Sequence, residues 1–254
     1  SQGYNKGIYY STDGKIWTQS NITSGNFNST YNANGIWVVA GNNNGLYYST
    51  DGKIWTQSNI TSGGIKSVYN ANGLWVAVGN GIYYSTDGKT WTQSNSTNNF
   101  NSVYNANGIW VAGNLGYNGL YYSTDGKTWT KSNFSTGYYT RYVYNANGIW
   151  VATDNSKGLY YSTDGKTWTQ SNITSGNFNS TYNANGIWVA AGNNNGLYYS
   201  TDGKTWTQSN ITNGSFNSTY NANGIWVAVG DSIYYSTDGK TWTQSNVISG
   251  NFHS

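Results

Sequence analysis

Several residue types are missing from this 254-residue chain, and each gap excludes chemistry. There is no Cys, no Pro and no Met. Without Cys there is no disulfide framework, no thiolate metal site and no cysteine nucleophile. Glu is also absent, and His253 is the only His. One histidine and no glutamate leave too few ligands for most metal centres and too few groups for acid–base chemistry. Charged residues make up only 8% of the chain, and the longest apolar runs have about five residues, as in Ile36 to Ala40. A helical membrane span needs ~20. What is abundant is aromatic and small: 17% aromatics, with 13 Trp, 25 Tyr and 33 Gly. Disordered chains are poor in aromatics, so this one must bury a core.

Charge is local rather than regional. Seven of the nine Asp stand in Asp-Gly-Lys triplets, at Asp13, Asp51, Asp87, Asp125, Asp164, Asp202 and Asp238, and each is offset by its own Lys. The net +3 comes from Lys6, Lys66, Lys131, Lys157 and Arg141 set against Asp154 and Asp231. These are scattered, so there is no basic stripe to track a phosphate backbone, and nucleic acid is not an expected partner.

The organising fact is repetition. Tyr-Tyr-Ser-Thr-Asp-Gly-Lys-x-Trp occurs seven times, with Asp-to-Asp spacings of 38, 36, 38, 39, 38 and 36. Between copies lies Tyr-Asn-Ala-Asn-Gly-x-Trp-Val, six times, with Trp at 37, 75, 110, 150, 188 and 226. Each unit reads as two hairpins. Asn34-Gly35 and Asp51-Gly52 are the turn pairs, because a type I′ turn needs positive φ at both central residues. The predicted strands of the unit lie near 27–32, 36–41, 46–50 and 53–58, and no segment carries a helical period. The second strand, Ile-Trp-Val-Val-Ala, is apolar on both faces, so neighbouring units must cover both. Four-stranded sheets stacked face to face around an axis form a β-propeller, and a period near 38 fits one.

Ser-Thr-Asp-Gly-Lys-Thr-Trp resembles the Asp-box turn of the sialidase-type BNR repeat propellers, with one residue fewer between Asp and Gly. The resemblance implies a propeller. It also implies a structural role for the seven turn aspartates: Ser and Asp bonding the turn backbone, and Trp packing inward. It does not carry sialidase chemistry, which needs an arginine cluster and a Tyr–Glu nucleophile pair. Arg141 is the only Arg here.

The expected architecture is therefore one all-β β-propeller domain over 1–254. Six full repeats would be joined by a split partial repeat, in which the C-terminal Asn251–Ser254 strand meets the N-terminal hairpin. That gives seven blades, with six as the alternative. The missing inner hairpin would come from a longer array or from a second copy.

No catalytic set emerges, and the expectation is a non-enzyme without metal or cofactor. Asp154 and Asp231 are the only carboxylates outside the repeated turns, two repeats apart, and a lone penultimate His builds no Ser-His-Asp triad. One turn Asp per unit is too few ligands for calcium. Trp and Tyr recur at fixed positions as packing demands, although such rings can also stack on sugars. Ten Asn-x-Ser/Thr sites are about what this composition gives by chance. The strongest lead is variation between repeats. The loops on one rim differ, and binding residues concentrate in such loops. The segment Lys131–Arg141 departs most from the repeat and leads into the unit holding Asp154 and Lys157. Tyr138, Tyr139, Arg141, Asp154 and Lys157 thus form the candidate ligand patch, with neutral drift as the competing explanation. Two functions follow: a multivalent glycan-binding, lectin-like module, or a scaffold that engages another protein.

Overall fold

The structure is a computed structural model that describes residues 7–116, 119–134, 139–247 and Gly250. Seven antiparallel sheets are present among them, six four-stranded and one two-stranded. No described residue is helical, so no helix is long and apolar enough to cross a membrane. The chain divides into two compact units, residues 1–112 with 123–130, and residues 113–122 with 131–254. The expected union of Asn251–Ser254 with the N-terminal hairpin lies outside the described residues.

In unit 1 the first sheet is a two-stranded pair, β1 (Tyr9–Tyr10) and β2 (Thr18–Gln19). The next is a full repeat in simple up-and-down order: β3 (Asn26–Ala33), β4 (Ile36–Asn42), β5 (Gly45–Ser49) and β6 (Thr56–Gln57). The inner hairpin, β3–β4, turns at Asn34 and Gly35 with φ of 52° and 76°. Both are left-handed, as a type I′ turn requires. The outer turn departs from that expectation. Gly52 has φ 73° but Asp51 is not left-handed, so this is no type I′ turn. The side chains build it instead. Ser49 Oγ donates to Asp51 Oδ1 at 2.9 Å and accepts from Gly52 N–H at 2.9 Å. Asp51 Oδ1 accepts from the N–H groups of Lys53 and Ile54 at 2.8 and 2.9 Å. This curl consumes the residues expected at the start of the fourth strand, which shrinks to Thr56–Gln57.

The apolar second strands carry the core. Val38, Ala40, Leu46, Ile65, Trp75 and Ala77 pack together in unit 1, and Val189, Leu197, Phe216 and Trp226 in unit 2. Two contacts join one sheet to the next. In the first, a tyrosine of an inner strand meets the second-strand Trp of the following sheet edge to face. Ring centroids lie 6.1 Å apart for Tyr31–Trp75 and 5.9 Å for Tyr144–Trp188. Such geometry adds to burial because the ring edge is positive and the ring face negative. In the second, an asparagine amide grips the backbone of the outer Trp in the next sheet. Asn172 Nδ2 donates to Trp206 C=O at 2.8 Å and Asn172 Oδ1 accepts from Trp206 N–H at 2.8 Å. Asn21, Asn59, Asn95 and Asn210 make the same paired bonds to Trp55, Trp91, Trp129 and Trp242.

The Asp-Gly-Lys lysines also reach the preceding sheet. Lys89 Nζ lies 5.7 Å from the Tyr48 ring centre, and Lys204 Nζ 5.9 Å from that of Tyr161. Such cation–ring contacts contribute roughly 0.5–1 kcal/mol at exposed sites.

Two consequences are testable. Removing the clamp by Asn172→Ala strips two hydrogen bonds from one interface and should lower unfolding free energy by about 1–3 kcal/mol, read from the urea midpoint. The turn carboxylates give the second. For Asp125, burial pushes the carboxyl up, but the N–H groups of Thr128 and Lys127 with the Ser123 hydroxyl outweigh it, and the group sits below its ordinary 3.8. The other six turn aspartates are lowered as well. A depressed folded pKa contributes stability above the unfolded value and loses it as pH falls through the folded one. Melting temperature should therefore hold down to roughly pH 4 and fall progressively below it.

Candidate ligand-binding site

Unit 2 contains the residues singled out by loop variation. The strand Thr140–Ala146 pairs with Ile149–Asp154, and the register slips at Arg141, between Thr140 and Tyr142. This is a β-bulge, which re-aims the extra residue. The same slip recurs at Asn28, Lys66, Asn179 and Asn217. At Asn28 and Asn179 the re-aimed amide donates to a backbone carbonyl of the next sheet, Ile65 at 2.7 Å and Phe216 at 2.8 Å. Arg141 instead turns to its own rim, where Nε and Nη2 both donate to Asn155 Oδ1, at 2.9 and 2.6 Å. Burial holds its guanidinium below the ordinary value.

Asp154 is fully buried, and its carboxylate accepts from Ser156 and Lys157 N–H at 2.8 and 2.7 Å. It builds its loop in the way the turn aspartates build theirs. The Asn155 N–H donates to Tyr139 C=O at 3.0 Å, which fastens the two variable loops together. Tyr139, Arg141 and Asp154 are thus brought together around Asn155, with Asp154 serving the backbone. Tyr138 lies outside the described residues. Lys157, whose N–H bonds Asp154, lines a recess of about 450 Å³ with Asn133, Phe134, Tyr160, Trp168, Gln170 and Thr174. Burial, helped by the Asp154 charge, pushes the Tyr160 phenol up to about 12.

A second recess in unit 2 escaped the sequence reading. About 380 Å³ in volume, it is formed by three successive inner strands and lined by Tyr142, Asn179, Ser180, Thr181, Tyr182, Asn217, Ser218, Thr219 and Tyr220. Every lining side chain is an amide, a hydroxyl or a phenol. Ser180 Oγ and Thr219 Oγ1 are buried without a protein hydrogen-bond partner. A buried hydroxyl left unpaired is costly, so such groups are normally bonded to something. Three tyrosines line the recess in sequence with the sheets. The Tyr182 ring lies 4.9 Å from that of Tyr220 on one side and 5.4 Å from that of Tyr144 on the other.

A sequence signal for this recess did exist. Three of the six inner strands read Phe-Asn-Ser-Thr-Tyr, with three polar residues in a row beside the most apolar strand of the unit. Three successive polar residues put a polar group on both faces of the strand, where an alternating strand would have one. In one unit Tyr142 replaces the usual Ser, and it puts a ring into the recess.

No protein-family model matches the chain, and no curated protein sequence matches it. Solved structures do. YCF48 from Cyanidioschyzon merolae is 14% identical with a TM-score of 0.64, over 89% of this chain and 86% of that one. A YCF48 bound to D1 peptide is 18% identical with a TM-score of 0.64, over 89% and 83%. The GH74 xyloglucanase from Xanthomonas campestris is 13% identical with a TM-score of 0.64, over 96% of this chain and 46% of that one. At these identities the likeness is one of fold. Together with the seven sheets it makes this an all-β β-propeller protein.

The tyrosine row yields a spectroscopic prediction. Burial first, then the neighbouring Tyr144 and Tyr220 phenols, push Tyr182 up to about 12 from the ordinary 10. A raised phenol pKa means that the fold favours the protonated form. Its contribution is complete below the unfolded value and disappears as pH rises through the folded one. Ultraviolet titration should show two tyrosines, Tyr160 and Tyr182, ionising near pH 12, and Tyr144→Phe should move one of them down while the other stays.

Proposed function

We propose that this chain is a non-catalytic binding module whose ligand is a glycan, held in the inner-strand recess of unit 2. The observation that carries the reading is the chemistry of the lining. Tyrosine rings, amides and hydroxyls surround about 380 Å³, with no charged side chain among them. A pyranose offers hydroxyls that both donate and accept, and C–H faces that pack on aromatic rings. Asn, Ser and Thr match the first, and Tyr142, Tyr182 and Tyr220 the second. Repetition would add avidity if several units engage one branched ligand.

The carboxylates support a non-catalytic role. Asp154 and the seven turn aspartates already accept backbone N–H groups through their side chains, which leaves no free pair for glycoside hydrolysis. The turn chemistry itself is of the kind that the Asp-box resemblance implies. A second reading, a scaffold that holds another protein, draws support from the fold neighbour named as bound to a peptide.

A glycan array probed with the whole chain distinguishes the two. We expect binding to neutral glycans that persists in salt. Tyr220→Ala, which removes an exposed ring and should spare the fold, ought to weaken it about tenfold, the worth of one good ring contact. Silence across the array, or binding unaffected by both Tyr220→Ala and Tyr142→Ala, would leave the scaffold reading in its place.

A further inference from the structure

The recess beside Lys157 is built by departures from the repeat that meet in one place. Four of the six inner strands carry Phe near their start, at 27, 100, 178 and 216. That ring packs on the first tyrosine of its own outer hairpin, as Phe178 does on Tyr198 with centroids 5.4 Å apart. The strand Thr140–Ala146 has Thr140 there instead, opposite Asp154 as Phe178 is opposite Gly192. Tyr160 takes its edge-to-face partner from the preceding loop, where Phe134 lies at 4.4 Å. Position 134 is Ile in four other repeats, at 22, 60, 173 and 211. The polar groups depart as well. Lys157 precedes Gly158 where four repeats have Asn, at 44, 80, 118 and 195. Its backbone is held from two sides: its N–H donates to Asp154 at 2.7 Å, and its C=O accepts from Gln170 Nε2 at 2.9 Å. The side chain itself is exposed and lines the recess. The amide clamp is half made here. Asn133 Oδ1 accepts from Trp168 N–H at 2.9 Å, but among the described residues its Nδ2 has no partner, whereas Asn172 Nδ2 bonds Trp206 C=O. Lys131, two residues before Asn133, adds an exposed positive charge where the other six repeats have Gln.

From these we infer that the Lys157 recess is a second binding site in unit 2, for a sugar acid: a pyranose whose carboxylate meets the Lys157 ammonium and whose hydroxyls meet Asn133 Nδ2 and the Thr174 hydroxyl. At about 450 Å³ the recess is of the size that small ligands occupy. A charge-assisted bond from Lys157 is the strongest single contact on offer, and the fixed backbone beneath it lowers the ordering cost of making it. The Phe134 and Tyr160 rings give the C–H side of the sugar something to pack on. Asp154 is close enough to raise the Tyr160 phenol, but it is fully buried and already accepts two N–H groups, so an incoming anion meets the exposed ammonium. This site shares no lining residue with the inner-strand recess, and it stands whether or not that recess takes a neutral glycan.

The experiment titrates the full chain with galacturonate and with galactose, which differ only in bearing a carboxylate or a hydroxymethyl group. Binding is read from amide NMR shifts at Gly158, beside Lys157, so that occupancy of the inner-strand recess is not mistaken for it. The expected result is saturable binding of galacturonate about tenfold tighter than that of galactose, with the difference shrinking as salt is added. Lys157→Asn restores the residue of four other repeats at an exposed position. It should leave the melting temperature unchanged and abolish the preference for the acid. Tyr220→Ala, in the other recess, should leave that preference intact. If neither sugar shifts Gly158, if both bind equally, or if the preference survives Lys157→Asn, the site is not one for sugar acids and the inference fails.

Discussion

Each complete sheet in this protein has two apolar faces, and neither can be left in water. That single constraint organises the rest. Burying an apolar side chain contributes roughly 1.5–3 kcal/mol, and the second strand of each repeat offers several on both sides. A solitary four-stranded sheet of this composition would leave half of that uncollected. Stacking is thus a condition for any one sheet to fold, and the specific contacts refine it. Tyr31 on Trp75 sets the depth at which neighbours meet, and the paired amide bonds of Asn59 to Trp91 set their height. Trp17 is 60% exposed in the two-stranded sheet of unit 1, whereas Trp55, Trp91, Trp129, Trp168, Trp206 and Trp242 at the same repeat position are buried.

Much of this was legible in the residues because the repeat samples the same design seven times. Asn34-Gly35 announced its turn correctly, since both φ values had to be positive and the residues suit them. Asp51-Gly52 looked like the same signal and is not. There the side chains of Ser49 and Asp51 override backbone preference, at the expense of the last strand. The amide clamps were invisible beforehand. Asn172 and Trp206 are 34 positions apart, and nothing in either residue type names the other as partner. Bulges were hidden for a similar reason, because one extra residue in a strand leaves the local alternation readable in two ways.

The candidate site divides along the same line. Loop variation singled out Tyr139, Arg141 and Asp154, whose loops are joined by the Asn155 bonds to Tyr139 and Arg141. It could not say that Asp154 would be spent on its own loop, since that depends on burial and on N–H groups two and three residues away. The inner-strand recess went unnoticed for the opposite reason. Asn-Ser-Thr recurs in three of the six inner strands, and recurrence reads as architecture even where the side chains line a recess. Charge tells a consistent story throughout. The turn aspartates are tied to backbone N–H groups and several of their lysines to rings, and the inner-strand recess has no charged side chain in its lining.

The clamp between successive sheets has one more implication. Since every junction uses the same asparagine at the same place, any repeat can sit beside any other. A recombination event that removes or adds one whole repeat of 36 to 39 residues leaves each surviving junction chemically intact. Partial insertions have no such immunity, because they would separate an asparagine from its tryptophan. Changes of length by whole repeats would therefore preserve the described junctions.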